Sequence, residues 1–259
     1  TQNAASTRNE GVEIAIDYQL VQKKDFGWNT LLNFNKMWNA VVGFPANVSE
    51  FYISDTWLYG NARASVLGLG SPTTGIASWG YARNNAGQIL INPSTGLPLT
   101  DGRFSLRGDR NPAFTLGIQN SIRYKNWRLS FLWDLKIGGD IFNANDMLLT
   151  SIGRSNRTID RFTPRVIDGV LNDGFANTAT PTKNTISVIP AYNDAYYTAS
   201  SMPEEAFIQK NVNWLRMRDI TLSYSLTDRA LRNLNGVKSA SIFITGNDLF
   251  LITNYMGAD

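Results

Sequence analysis

The sequence predicts an all-β chain that forms part of a large antiparallel transmembrane β-barrel. Three observations carry that expectation. Apolar and polar residues alternate over stretches of about ten residues, long enough to cross a bilayer at a tilt and about twice an ordinary soluble strand. The links between these stretches come in two sizes, very short and very long, as in barrels with short periplasmic turns and long extracellular loops. The composition is poor in charge and rich in rings: 17% of the 259 residues are charged and 12% are aromatic, with seven Trp, where a typical soluble domain has about 25% charged residues. Mean hydropathy is −0.21. No apolar run approaches the roughly 20 residues of a membrane-crossing helix, so a helical membrane protein is excluded. A barrel is not, because alternating strands average out to mild hydrophilicity.

The first strand alternates Val12, Ile14, Ile16, Tyr18 and Leu20 with Glu13, Ala15, Asp17 and Gln19. A turn from Gln22 to Gly27 leads to a second, Trp28, Thr30, Leu32 and Phe34 against Asn29, Leu31, Asn33 and Asn35. Residues 39–111 are rich in Asn, Gly, Thr, Ser and Pro and read as a long loop.

The best-defined element is a hairpin. Phe114, Leu116, Ile118, Asn120, Ile122 and Tyr124 share one phase; beyond Lys125-Asn126 the phase restarts as Trp127, Leu129, Phe131, Trp133 and Leu135. Asn126 is expected to take the positive φ of the two-residue turn. With Tyr124 opposite Trp127, the pairs continue Ile122–Leu129, Asn120–Phe131, Ile118–Trp133 and Leu116–Leu135, which makes one face almost wholly apolar. The other face opposes Arg123 to Arg128, Ser121 to Ser130, Gln119 to Leu132 and Gly117 to Asp134. Two opposed arginines need carboxylates or water beside them, which a wet lumen or a polar insert supplies and a dry core does not.

Residues 138–205 form the second long polar stretch, with a short helix expected within 143–153. Ile220, Leu222, Tyr224 and Leu226 then alternate with Thr221, Ser223 and Ser225, while Leu215 and Met217 are out of phase, which predicts a bulge near Arg218-Asp219. A short polar link, 227–236, carries a second short helix expected over Asp228–Asn235. Ala240, Ile242 and Ile244 form another strand, followed by Leu249 to Thr253.

The chain has no His and no Cys. That removes Ser–His and Cys–His nucleophiles, imidazole proton shuttles, and thiolate or imidazole metal sites. A net charge of +3, from 24 Lys+Arg against 21 Asp+Glu, is small beside that of a nucleic-acid binder. Asp168, Asp173, Glu204 and Glu205 fall in loops with no calcium-loop spacing; Glu204-Glu205 follows Pro203 and reads as the start of a helix or strand. Gly68-Leu69-Gly70 lacks the strand–helix context and the Lys of a phosphate loop. No enzyme activity, cofactor, metal or nucleic-acid partner is expected.

Several segments, in order, resemble the SusC/RagA-type TonB-dependent outer-membrane transporters of Bacteroidetes. They are Asn9-Glu10-Gly11-Val12-Glu13, Asn33-Phe34-Asn35-Lys36-Met37-Trp38-Asn39, Gly87-Gln88-Ile89-Leu90-Ile91-Asn92 with Gly96-Leu97-Pro98, Gly108-Asp109-Arg110-Asn111-Pro112, Gly138-Gly139-Asp140, Trp214-Leu215-Arg216-Met217-Arg218-Asp219, Asn247-Asp248-Leu249-Phe250 and Tyr255-Met256-Gly257-Ala258-Asp259. Asp248 is an insertion relative to that pattern. The resemblance implies one barrel domain segment across 1–259, from the C-terminal half of a longer protein. Both ends look cut, with plug, TonB box and final strands outside the chain. It also implies an outer-membrane location, import of large nutrients such as glycans or peptides, a SusD-like surface lipoprotein as cap, and TonB as energy donor through the N-terminal part.

In that setting Tyr18, Trp28, Tyr124 and Trp127, near short turns, are expected in an aromatic girdle at the bilayer surface. Arg123, Arg128, Asp134, Lys136, Arg216 and Arg218 are expected to face the lumen. Trp57, Trp79, Tyr81, Tyr192, Tyr196 and Tyr197 fall in the long segments and are candidates to stack on substrate or bury against a lid protein; loop packing, or strands within those segments, is the competing expectation. A secreted β-rich glycan-binding or adhesion module and a passive porin are the alternative functions.

Overall fold

The structure, a computed structural model, describes residues 5–59, 62–227 and 236–257, with backbone alone over 52–59. The strands are β1 (Ser6–Gln22), β2 (Phe26–Gly43), β3 (Phe51–Tyr59), β4 (Ala62–Val66), β5 (Gly75–Tyr81), β6 (Leu90–Ile91), β7 (Thr100–Asp109), β8 (Phe114–Tyr124), β9 (Trp127–Ile137), β10 (Ile141–Phe142), β11 (Arg165–Val166), β12 (Val170–Leu171), β13 (Ser187–Val188), β14 (Ile208–Gln209), β15 (Trp214–Ser225) and β16 (Ser241–Thr253). One α-helix, α1, spans Ala144–Ser151. The helix expected over Asp228–Asn235 lies outside the described residues.

Six long strands make one antiparallel wall in the order β1-β2-β8-β9-β15-β16. The hairpin register is the one the alternation dictates: Tyr124 pairs with Trp127, Asn120 with Phe131, Leu116 with Leu135, and Arg123 with Arg128. The turn chemistry differs, because Lys125, not Asn126, takes the positive φ, +53°. Phe26 lies opposite Tyr124 and Tyr224 opposite Trp127, so all the short links gather at one end of the wall. They are tied together there: the Lys125 N–H donates to the Asp25 carbonyl and the Ser225 N–H to the Asn126 carbonyl. Both long excursions, between β2 and β8 and between β9 and β15, leave from the opposite end.

The wall is apolar on one face. Ile14 pairs with Phe34, Ile16 with Leu32, Ile122 with Leu129, Ile220 with Phe131, and Leu222 with Ile244. That face is bare: Ile16 is 50% exposed and Ile244 72%. An apolar surface of this extent marks contact with lipid or protein.

The predicted bulge is present and double. The register steps between Met217 and Asp219 against both neighbours. Arg218 is the extra residue toward β9, and β16 answers with Asp248, held at φ +49°. The bulge re-phases the strand, so that Leu215, Met217, Ile220 and Leu222 all lie on the apolar face. It also joins the segments expected as two strands, 240–244 and 249–253, into the single strand β16.

The stretch expected as one loop, 39–111, instead carries a second sheet, β3-β4-β5-β7. Its strands are short, irregular and rich in Ala, Gly and Ser, which hides period-2 alternation. Ala62, Ala64, Ile76, Ala77 and Ser78 are buried within it. Helix α1 forms where expected, capped by the Asn143 side chain accepting from the Asp146 N–H. Glu204–Phe207 is a 3-10 turn following Pro203.

Candidate functional site

Two regions collect polar and charged side chains: the polar face of the wall, and the layer of excursions over its loop end.

On the wall, Asn29 donates to Asp17 at 2.8 Å and Asn35 to Glu13 at 3.0 Å across β1 and β2. Arg123 and Arg128 are directly opposed. Among the described residues no carboxylate pairs with Arg123; its guanidinium donates to the carbonyls of Lys23 (3.3 Å) and Lys24 (3.4 Å) in the β1–β2 turn. The double bulge builds the main charge cluster. Arg218 meets Asp134 at 2.9 Å, and Arg216 and Arg218 each lie 3.5 Å from Asp248. Lys136 sits over the Trp214 ring at 4.2 Å. Arg123, Asp134, Lys136, Arg216 and Arg218 thus each have a direct partner, and Asp248 joins them. The inserted residue of the resemblance is therefore the carboxylate that answers two arginines.

Tyr18, Trp28, Tyr124 and Trp127 all lie on the apolar face near the turn end. Trp127 packs on Tyr224 at 4.7 Å between ring centroids, which adds a ring that sequence position alone did not single out. Asn120 is a polar residue within the apolar face, opposite Thr30. It is buried, and its Oδ1 accepts from the Trp28 indole N–H at 2.9 Å, which satisfies part of an amide that would otherwise cost about 1–3 kcal/mol to desolvate.

In the loop layer, Glu205 is a hub. Its Oε2 accepts from the Tyr81 backbone N–H at 2.9 Å, its Oε1 from Arg83 at 2.8 Å, and Arg107 lies 3.6 Å away while holding Asp101 at 2.5 Å. Gly80 makes room for this lock, since a Cβ there would collide with the Glu205 carboxylate and the Arg107 guanidinium. Burial, then the Glu205 charge, pushes the Tyr81 phenol up to about 12. Asp140 is a second hub. It accepts from the backbone N–H groups of Asp109 (2.9 Å) and Asn211 (3.1 Å) and from Lys210 (2.9 Å). Gly138 and Gly139, both at positive φ, turn the chain out of β9 just before it. Asn111 donates to the Met37 carbonyl and Asn39 accepts from the Thr73 N–H, pinning the layer to the end of β2.

The ring candidates divide. Trp79 and Tyr81 are strand residues of β5; Trp79 packs edge-on against Phe104 at 6.1 Å. Tyr196 is buried with Leu97 and Val188 in the core of the layer, and Tyr197 packs edge-on against it at 4.8 Å. Tyr192 is 78% exposed and contacts Phe162 at 6.2 Å. Trp57 pairs through its backbone with Arg63, and its side chain lies outside the described residues. The hubs Glu205 and Asp140 escaped the sequence reading because their partners lie up to 124 residues away. Among the described residues no group of three or more His, Cys, Asp or Glu could hold a metal ion.

No family model matches the chain. Across its full length it is 24% identical to TonB-dependent receptor P3 of Formosa agariphila and, over 98% of it, 22% identical to TonB-dependent receptor P26 of the same organism. The RagAB peptide importer in its 'closed-closed' state superposes on 99% of the chain with a TM-score of 0.62 at 16% identity. The chain has the fold of a TonB-dependent receptor barrel. Its resemblance to the SusC/RagA-like receptors, read first from scattered motifs, thus extends over the whole wall and both excursions. The chain spans about a quarter of the length of these relatives: its match covers 25% and 26% of the two receptors and 27% of the importer chain.

Proposed function

We propose that the chain is one segment, across 1–259, of the single barrel domain of an outer-membrane TonB-dependent transporter that imports large nutrients such as glycans or peptides. It makes and breaks no bond. The observation that carries this reading is the six-stranded wall. It has one bare apolar face and one polar face, short links at one end, and two long structured excursions at the other. The apolar face lies against lipid. Tyr18, Trp28, Tyr124 and Trp127 sit at the periplasmic interface, where amphipathic rings are favoured. The polar face, with Arg123, Arg128, Asp134, Lys136, Arg216 and Arg218, lines the lumen. The excursions form the extracellular layer, where a SusD-like lipoprotein caps the barrel, and TonB engages another part of the receptor. Of the ring candidates, the exposed Tyr192 is best placed for substrate or cap, whereas Tyr196 serves packing.

The test uses the full-length protein in its native membrane. Retention through carbonate and urea washing, heat-modifiable gel mobility, and uptake lost on deletion of TonB are the expected results. Release on washing would indicate the secreted glycan-binding module instead, and uptake independent of TonB would indicate a passive porin.

A further inference from the structure

The loop layer contains an open cleft that none of the hubs fills. One lobe, about 650 Å³, is lined by Asn143, Asn145, Asp146, Leu149, Arg154 and Met256 among others. A second, about 580 Å³, is lined by Ile159, Asp160, Arg165, Tyr196, Tyr197 and Met202. Asn156 and Arg157 stand in the walls of both, so the lobes adjoin. Each lobe alone has the size of a small-molecule pocket, about 300–1,000 Å³, and two such lobes side by side and open to solvent suit an extended oligomer.

The walls specify which kind. Arg157 meets Asp146 through Nε at 2.5 Å, and Arg165 meets Asp160 through Nη2 at 2.8 Å; each guanidinium keeps further N–H donors. Arg154 is exposed and has no ion-pair partner among the described residues. The cleft therefore carries three guanidiniums against two carboxylates, both already engaged. Asn145 and Asn156 supply amide groups able to donate and accept, while Asn143 is held as the cap of α1. Aliphatic side chains line both lobes, and two of them are open to solvent: Ile159 is 74% exposed and Met256 74%. Tyr196 and Tyr197 stand edge-on to each other instead of forming a flat platform for a sugar ring.

We propose that this cleft binds an extended acidic peptide with interspersed apolar side chains. Carboxylates meet the Arg154, Arg157 and Arg165 guanidiniums, the asparagines meet the peptide groups, and Leu149, Ile159, Met202 and Met256 receive apolar side chains. An anionic oligosaccharide would satisfy the arginines and leave the aliphatic side chains without a complement. The inference rests on the transporter reading and names a substrate class for it.

The test uses the purified full-length receptor in its native complex and three probes: a short peptide alternating Glu and Leu, its Gln-for-Glu analogue, and oligogalacturonate. The acidic peptide is expected to bind most tightly and to weaken with salt. Arg154→Glu should raise its Kd about tenfold, the ratio set by about 1.4 kcal/mol, and leave the Gln analogue unchanged. Arg154→Ala should give a smaller loss in the same direction. Equal binding of both peptides, indifference to both Arg154 variants, or binding of oligogalacturonate alone would overturn the proposal. A receptor that stays membrane-embedded and TonB-dependent while giving any of those results overturns this inference and leaves the transporter reading standing.

Discussion

Glu205→Ala is expected to open the loop layer without touching the wall. The carboxylate takes one backbone N–H, from Tyr81 at 2.9 Å, and two guanidiniums, Arg83 at 2.8 Å and Arg107 at 3.6 Å. A hydrogen bond to a charged acceptor contributes about 1.5–3 kcal/mol. The Arg83 pair is more than a third exposed on the arginine side, so solvent screening leaves it at most about 1 kcal/mol. Arg107 retains Asp101 at 2.5 Å and adds little. The sum is about 1.5–4 kcal/mol in the local opening equilibrium, which accelerates hydrogen exchange at the Tyr81 amide by about 10- to 700-fold. The assay is hydrogen–deuterium exchange with mass spectrometry on the full-length receptor, following the peptide that contains Tyr81, with Ile118 of the wall as internal reference. Glu205→Gln keeps an acceptor for the Tyr81 N–H and should show a smaller effect. Gly80→Ala, which drives a methyl into the same carboxylate, should reproduce the Ala variant. An acceleration below about threefold in Glu205→Ala would refute the view that this carboxylate holds β5 to the 203–207 turn.

Three further outcomes follow from the geometry. Trp28→Phe should destabilise the barrel by about 1–3 kcal/mol by stranding the buried Asn120 amide, and the double variant with Asn120→Leu should recover most of that loss in a double-mutant cycle of denaturant unfolding in lipid vesicles. Lys125→Asn should stabilise the β8–β9 hairpin by about 0.5–1 kcal/mol, since Asn tolerates the left-handed region better than Lys; a lower heat-modification temperature would contradict it. The folded state keeps the Tyr81 proton to about pH 12 while the unfolded chain releases it near 10.0. The folded state thus binds the extra proton, and the stability it contributes is level below pH 10 and falls as pH rises toward 12. Alkaline unfolding of wild type and Tyr81→Phe should therefore diverge only above pH 10, and divergence near neutral pH would count against this assignment.

The wall was legible because a sheet with one apolar and one polar face writes its register into the sequence: alternation over β8 and β9 fixed every pair of the hairpin, and the phase slip before Ile220 located the bulge. Where a single residue decides local geometry, the reading was weaker. Nothing in Lys125-Asn126 announces that Lys takes the positive φ. The excursion sheet was missed because β4 and β5 are built from Ala, Gly and Ser packed by their neighbours, so no amphipathic signature survives. Alternation groups the charged residues of the wall, yet it does not reveal their partners. Arg123 is answered by turn carbonyls and Arg216 and Arg218 by Asp248, and these contacts exist only once distant strands are neighbours. Tyr196 shows the same limit, since a ring in a polar stretch does not reveal whether it faces solvent or the core beneath.

The two excursions sit outside the register of the wall. Each departs from one wall strand and returns on the strand hydrogen-bonded beside it: β2 and β8 pair from Phe26–Tyr124 to Asn35–Thr115, and β9 and β15 from Trp127–Tyr224 to Lys136–Trp214. The length and sequence inserted between Gly43 and Phe114, or between Ile137 and Trp214, therefore leave the shear of the wall untouched. An excursion can be lengthened, exchanged or grafted from another receptor at those two junctions, and the strands will still close at the same stagger. The excursions and the six-stranded frame are thus mechanically uncoupled, so either can be altered without re-registering the other.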